Sequence, residues 1–331
     1  MHFQYVFDNF ASLFIGGLVF GSVYALIALG YTMVYGVLQL INFAHSEVFM
    51  FGTFATVWAL WLIGADATTM GVALVLSIAF AMVASMITSG GVALLLERVA
   101  YRPLLKRGAP RLIALISAIG ASFVLSEAMG LRGAIASALG LSDTLGRYVA
   151  RSRENLGMPT DRTTTVQFEL FGYGVTNVNI IVVVSAVLMM VAADQFIRRT
   201  RTGRGIRAVA QDPETASLMG VNSTRVIQIT FLIGGMLAGA AATLYMLHIG
   251  ATRYNAGFLL GVKAFTAAVL GGIGNLRGAL VGGLVLGVAE GLGAGLFGNE
   301  WRHVVAFVLL ILILLFRPTG LLGESLGKAR A

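Results

Sequence analysis

Nine apolar runs constrain this 331-residue chain more than any other feature. They lie near 11–33, 46–64, 73–96, 112–130, 179–197, 226–247, 258–273, 279–297 and 303–316, and most approach the roughly 20 residues that a helix needs to cross hydrocarbon. The bilayer core offers the backbone no water, so such runs must satisfy their own N–H and C=O groups as helices. Two of them, 258–273 and 303–316, are short. The pattern predicts an all-α integral membrane protein, a polytopic helical bundle of about eight or nine transmembrane helices with broken or re-entrant segments. With 57% hydrophobic and only 11% charged residues, against roughly 25% charged in soluble domains, the chain cannot build a water-soluble surface. All five prolines (Pro103, Pro110, Pro159, Pro213, Pro318) fall outside the runs and mark connections.

Charge sets the expected orientation. The net charge of +8 is gathered between spans, which is how membrane topology is written, so it points to no nucleic-acid partner. Arg98, Arg102, Lys106, Arg107 and Arg111 form one basic cluster, and Arg198, Arg199, Arg201, Arg204 and Arg207 another. Both are expected in the cytoplasm, as is the tail with Arg317, Lys328 and Arg330. The N-terminus then lies outside with nine spans and inside with eight. Residues 131–178 form a long polar insertion, expected outside and able to fold in part or meet an external partner. The first run has the length of a full span, lacks a basic segment before it and no small-residue cleavage site follows, so it does not read as a cleavable signal. With no cysteine there are no disulfides, thiolate metal sites or cysteine nucleophiles. Glycines at 283, 287, 291 and 295, at 17 and 21, and at 235 and 239 are spaced to let helix backbones approach closely.

Three segments carry functional signals. In RTRTGRGIRAVAQDPETASLMGVN (199–222), too polar for lipid, Asp212 is a cap, Pro213 suits the first helical position, Glu214 complements the helix dipole, and Gly220 suits a left-handed stop. The helix Pro213–Met219 would be about 10 Å long and needs a surface to pack on. That surface is either a cytoplasmic protein, with Ala216, Leu218 and Met219 as apolar contacts, or anionic headgroups. NFAHSE (42–47) and GGIGNLRG (271–278), the latter containing Asn275, interrupt apolar sequence in corresponding places, a pattern seen where half-helix ends build a transport site. There Asn42 or Ser46 would cap a half-helix whose amides face a substrate carboxylate, and Glu47 or a free carbonyl would receive an ammonium group; the plainer reading is a polar turn at the membrane edge. His45 beside Glu47 is too little for a metal site. Glu290, inside the run 279–297, must face protein or water, since a central charge costs at least about 2.5–3.5 kcal/mol, and is a candidate pathway residue. Glu127 and Lys263 invite the same treatment as Glu290, but both lie near span ends, from which they could snorkel. No G-x-x-x-x-G-K-[ST] occurs, so the energy for any transport must come from a partner or an ion gradient.

GSVYALIALGYTMVYGVLQLINFAHSEVFMFG (21–52), ERVAYRPL (97–104), RLIALISAIG (111–120), the 203–222 loop, KAFTAAVLGGIGNLRGALVGGLVLGVAEGL (263–292) and RPTGLLG (317–323) together resemble the permease subunits of branched-chain amino acid ABC importers. The resemblance spans about 15–323 and is weakest over 131–178. It implies one transmembrane permease domain over 1–331, with an external loop at about 131–178 and a cytoplasmic coupling loop at about 198–225. Within that loop it implies coupling to the ATPase by Gly203, Ala210, Asp212, Pro213, Ala216, Leu218, Met219 and Gly220. It further implies a non-catalytic subunit without cofactor in a prokaryotic plasma (inner) membrane. The implied partners are cytoplasmic ATP-binding subunits, a second homologous permease and an external solute-binding protein. Leucine, isoleucine and valine are the default cargo, with urea or short amides the alternative. The sequence departs from the family pattern at Ser46, where glycine is usual, and at Glu127, where an uncharged residue is usual. An ion-coupled carrier is a competing class, argued against by the capped loop. An intramembrane hydrolase is another, and no G-x-S-x-G or His-Asp set within the spans supports it.

Overall fold

A computed structural model describes residues 3–161 and 164–323; the expected cytoplasmic Lys328 and Arg330 lie outside the described residues. In chain order α1 (Phe3–Asp8) leads to α2 (Phe10–Leu38), α3 (His45–Leu62), α4 (Gly71–Leu96), α5 (Arg102–Lys106) and α6 (Arg111–Gly130). The 131–178 insertion follows with α7 (Arg132–Ala138), α8 (Ser142–Leu145) and strands β1 (Leu156–Gly157), β2 (Val166–Leu170) and β3 (Tyr173–Thr176). The rest comprises α9 (Asn177–Arg199), α10 (Arg201–Gln211), α11 (Pro213–Leu218), α12 (Ser223–Ile249), β4 (Ala251–Thr252), α13 (Ala256–Gly271), α14 (Leu276–Phe297) and α15 (Arg302–Phe316).

Every apolar run is helical. Among the described residues seven helical stretches are long and apolar enough to cross a membrane. The other two runs become α3, 18 residues opened by the polar His45, Ser46 and Glu47, and the 16-residue α13. The protein is an all-α polytopic membrane protein. The run 73–96 continues as helix to Lys106 through a π-turn at Glu97–Tyr101. Pro103 therefore does not mark a connection; it stands in the first turn of α5, directly after the π-turn.

The described residues divide into two compact units. The first comprises those of Met1–Gln39, Thr163–Thr230 and Val262–Ala331. Here the spaced glycines form a seam between antiparallel α2 and α14: a Cβ on Gly17 would stand 2.7 Å from the Gly287 carbonyl, and one on Gly21 would stand 2.8 Å from that of Gly283. This seam fixes the ends of the unit. One end gathers α1, whose Val6 meets Gly295, the β2–β3 hairpin and the start of α15. The other gathers Val37 of α2 with Ile206, Val209, Ala216 and Val226. Exposed arginines crowd this second end, among them Arg199, Arg201, Arg204, Arg207, Arg225 and Arg317. At the first end, among the described residues, the one arginine is Arg302, whose guanidinium turns over the Phe20 ring at 4.4 Å.

The second unit comprises the described residues of Leu40–Arg162 and Phe231–Gly261. Close packing here uses small polar residues. Ser85 Oγ lies 2.9 Å from the Gly52 carbonyl and 2.7 Å from that of Gly239, and Ser89 Oγ donates to the Val48 carbonyl at 2.9 Å. Gly235 and Gly239 admit the backbone of α4 at Ser89 and Ser85, so the second glycine pair also lines a helix contact. Thr53 meets Thr252 at 2.6 Å and Thr56 meets Thr243 at 2.9 Å. Buried Arg132 orders the start of the insertion by donating to the Met129, Tyr148, Ala150, Arg151 and Ser152 carbonyls at 2.8–3.3 Å.

Candidate functional site

The segment at the arginine-bearing end of the first unit folds as its local chemistry dictates. Asp212 caps α11, accepting from the Glu214 and Thr215 amides at 2.9 and 3.1 Å. The Thr215 hydroxyl and these amides hold the Asp212 carboxyl below the usual carboxylate range. Pro213 occupies the first turn, and Gly220 ends the helix with φ of +83°, a conformation that costs glycine nothing. The turn is preceded by an unforeseen helix, α10, capped by Thr200 Oγ accepting from the Gly203 amide at 2.9 Å. A Cβ at Gly203 would collide with the Ile197 backbone, so glycine lets α10 fold back on the end of α9. Ile206 and Val209, three apart on one face, then cover Ala216. This corrects the expected contact set: Ala216 is 5% exposed and belongs to the protein's own core, while Leu218 and Met219 are 87% and 80% exposed. Ala210 is partly buried.

In NFAHSE, Asn42, Phe43 and Ala44 end the link from α2 to α3, and His45, Ser46 and Glu47 form the first turn of α3. The segment joins two helices and is not a break within one. Neither Asn42 nor Ser46 caps α3, which starts after Ala44 without a side-chain cap. The reason is that both side chains are engaged elsewhere: Tyr101 Oη donates to Asn42 Oδ1 at 2.9 Å, and Ser46 Oγ donates to the Phe43 carbonyl at 2.7 Å. Asn42, His45, Ser46 and Glu47 are all buried. Glu47 accepts from the Ser122 hydroxyl at 3.2 Å, and its Oε2 has no hydrogen-bond partner among the described residues. A Cβ at Gly257 would stand 2.7 Å from that oxygen. Ser46 has an ordinary negative φ, so the glycine usual at this position is not demanded by backbone conformation. Glu127 pairs at 2.7 Å with Arg153 and is half exposed.

In the first unit Glu290 is fully buried, as expected, but its partner is a surprise. Lys263 Nζ lies 2.8 Å from Oε1 and 2.9 Å from Oε2, and Tyr24 Oη donates to Oε2 at 2.9 Å. Lys263 is only 4% exposed, so it does not snorkel; reaching headgroups would cost Glu290 its nearest cation. Arg302 Nε stands 3.9 Å from Oε2, giving two cations around one carboxylate. Asn275 plays a separate part, in which its Oδ1 accepts from the Arg277 and Gly278 amides at 3.0 and 3.2 Å and its Nδ2 donates to the Leu322 carbonyl at 2.7 Å. It caps α14, roughly 22 Å along the helix from Glu290 at 1.5 Å per residue, so these two residues do not share a site.

A family model described as the permease component of branched-chain amino acid transport systems matches residues 13–314. The chain belongs to this permease family. It is 44% identical over 316 residues to the high-affinity branched-chain amino acid transport system permease protein BraD of Pseudomonas aeruginosa, covering 94% of each chain. It is also 41% identical over 321 residues to the high-affinity permease proteins LivH of Salmonella typhimurium and Escherichia coli, covering 96% of this chain and 97% of each relative.

The permease motifs acquire physical roles in this geometry. In ERVAYRPL, Glu97 is buried and held by Arg102 at 2.7 and 3.0 Å, and Tyr101 reaches Asn42 of the NFAHSE connection. The sequence reading missed α10 although Thr200 and the Ile206–Val209 spacing announce it. It missed the Lys263–Glu290 pair because no local signal joins residues on different helices.

Proposed function

We propose that this permease chain is the translocating, non-catalytic subunit of an ATP-driven importer of branched-chain amino acids in a prokaryotic plasma membrane, with ATP hydrolysed by cytoplasmic partner subunits. The observation that carries this reading is α11: a capped, two-turn helix that rests its Ala216 on the protein's own core while Leu218 and Met219 project outward. Exposed apolar side chains beside many arginines suit a protein groove on an ATPase. The same arginines favour the cytoplasm for that end of the first unit, which leaves the N-terminus outside. The whole chain acts as one translocating domain, with 131–178 external and 198–225 cytoplasmic. An external solute-binding protein delivers cargo, and a second permease completes the pathway. Gly203, Ala210, Asp212, Pro213 and Gly220 shape the coupling segment. Asn42, His45, Ser46 and Glu47, with Glu290 and its partner Lys263, are the pathway or gate residues; Asn275 braces the connection before α14.

The test is uptake by the complex reconstituted with its ATPase and binding protein. ATP-dependent accumulation of leucine, isoleucine and valine, with little of urea or acetamide, is the expected result. Uptake driven by an ion gradient without ATP would overturn the reading.

A further inference from the structure

We propose that the β2–β3 hairpin is a lipid anchor: its aromatic tip lies in the bilayer interface beside the start of α9. The hairpin closes through Phe171 and Gly172, both with positive φ, 49° and 77°, between the paired Leu170 and Tyr173. Two-residue turns of this kind take asparagine, aspartate or glycine at both positions. A phenylalanine there carries backbone strain, and it is 91% exposed. The chain thus accepts a strained turn together with a phenyl ring facing outward, two costs that an apolar surrounding would offset. Val166, Phe168 and Leu170 are also exposed, and Glu169 is the only charged residue from Thr164 to Thr176.

The occupant follows from where the hairpin is tied. Thr176, the last residue of β3, is the N-cap of α9, with Oγ1 accepting from the Asn179 amide at 3.3 Å. No linker intervenes, so the hairpin stays level with the end of a 23-residue apolar span. That span's exposed Ile181, Val184, Leu188 and Val191 continue the apolar surface into the hydrocarbon. The same end of the unit presents Phe3, Tyr5, Phe7, Phe10 and Trp301, all at least half exposed. Aromatic side chains at span ends favour the headgroup boundary, whereas a soluble docking protein would more commonly meet a charged rim.

The inference rests on α9 crossing the membrane and is independent of cargo and of ATPase coupling. The chain has no cysteine, so single cysteines can carry a fluorescent label in the assembled complex in lipid nanodiscs. A label on Leu170→Cys is expected to lose most of its emission to brominated lipid and little to aqueous iodide. A label on Glu169→Cys, on the opposite strand face, should respond the other way. Phe171→Asn, which suits the turn, should leave assembly and uptake intact while the Leu170→Cys label loses its lipid quenching. Iodide quenching at Leu170→Cys without lipid quenching overturns the proposal, as does lipid quenching that Phe171→Asn leaves unchanged. Protection that appears only on adding the cognate binding protein also overturns it and identifies a protein contact.

Discussion

Lys263 and Glu290 hold opposite charges within the helices of the first unit, where each offsets the cost of burying the other. Removing one partner of a buried pair strands the second charge, a loss of about 3–5 kcal/mol, while replacing both by apolar residues of like volume is often neutral. Glu290→Leu alone, which takes the carboxylate from Lys263, should therefore lower the melting temperature of the purified protein sharply, and Glu290→Leu with Lys263→Met should recover most of it. A double variant as unstable as the single one would count against the pair as the source of the effect. Asp212 acts by its charge at the other end of the unit. Its carboxyl titrates below the usual range because Thr215 and the first amides of α11 bond the anion. The cap is thus fully present above the ordinary carboxylate pKa and is lost as pH falls through the depressed folded value. Protection of the Glu214 and Thr215 amides, measured as exchange relative to the intrinsic rate at each pH, should fall on acidification, and Asp212→Ala should abolish that pH dependence.

At the scale of elements, α2 and α14 depend on the absence of side chains along their seam. A Cβ at Gly287 would enter the Gly17 carbonyl and the Gly21 backbone, and backbone cannot yield as a flexible side chain can. Gly287→Ala should cost about 1–3 kcal/mol by overpacking. Gly36→Ala, on α2 with open space around it, should be neutral or stabilising, because alanine favours helix. Thermal melts of the two variants separate the seam from a general effect of glycine. The coupling segment divides in a similar way between inward and outward faces. Ala216→Glu would bury a charge among Val37, Ile206, Val209 and Val226 and should disorder α10 and α11, lowering yield of folded protein. Leu218→Glu should leave the fold and expression unchanged yet prevent co-purification with the ATPase. Normal assembly and uptake in Leu218→Glu would remove α11 from the coupling role.

For the whole molecule, the charge difference between the two ends of the first unit gives an orientation that labelling can read. Single cysteines at Tyr5 and at Arg204 in the cysteine-free chain should react from opposite sides of intact cells: Tyr5→Cys with impermeant maleimide from outside, Arg204→Cys only after permeabilisation. Reversed reactivity would place α11 away from cytoplasmic ATPases and sink the importer orientation.

The sequence by itself determined what depends on neighbours a few residues away. Apolar runs specify spans because lipid leaves the backbone no other bonding partner. Asp212, Pro213 and Gly220 specify α11 because caps and stops act within one turn, and the fourfold glycine spacing specifies a smooth helix face. Only the tertiary structure decided which faces meet. Gly287 finds Gly17 and Gly21, Ala216 turns inward because α10 folds over it, Asn42 gives its cap function up to Tyr101, and Lys263 stays buried because Glu290 and Tyr24 arrive from other helices. The physical reason is distance along the chain: periodicity and capping are local energies, whereas a charge's partner is chosen by packing between segments that lie far apart in sequence.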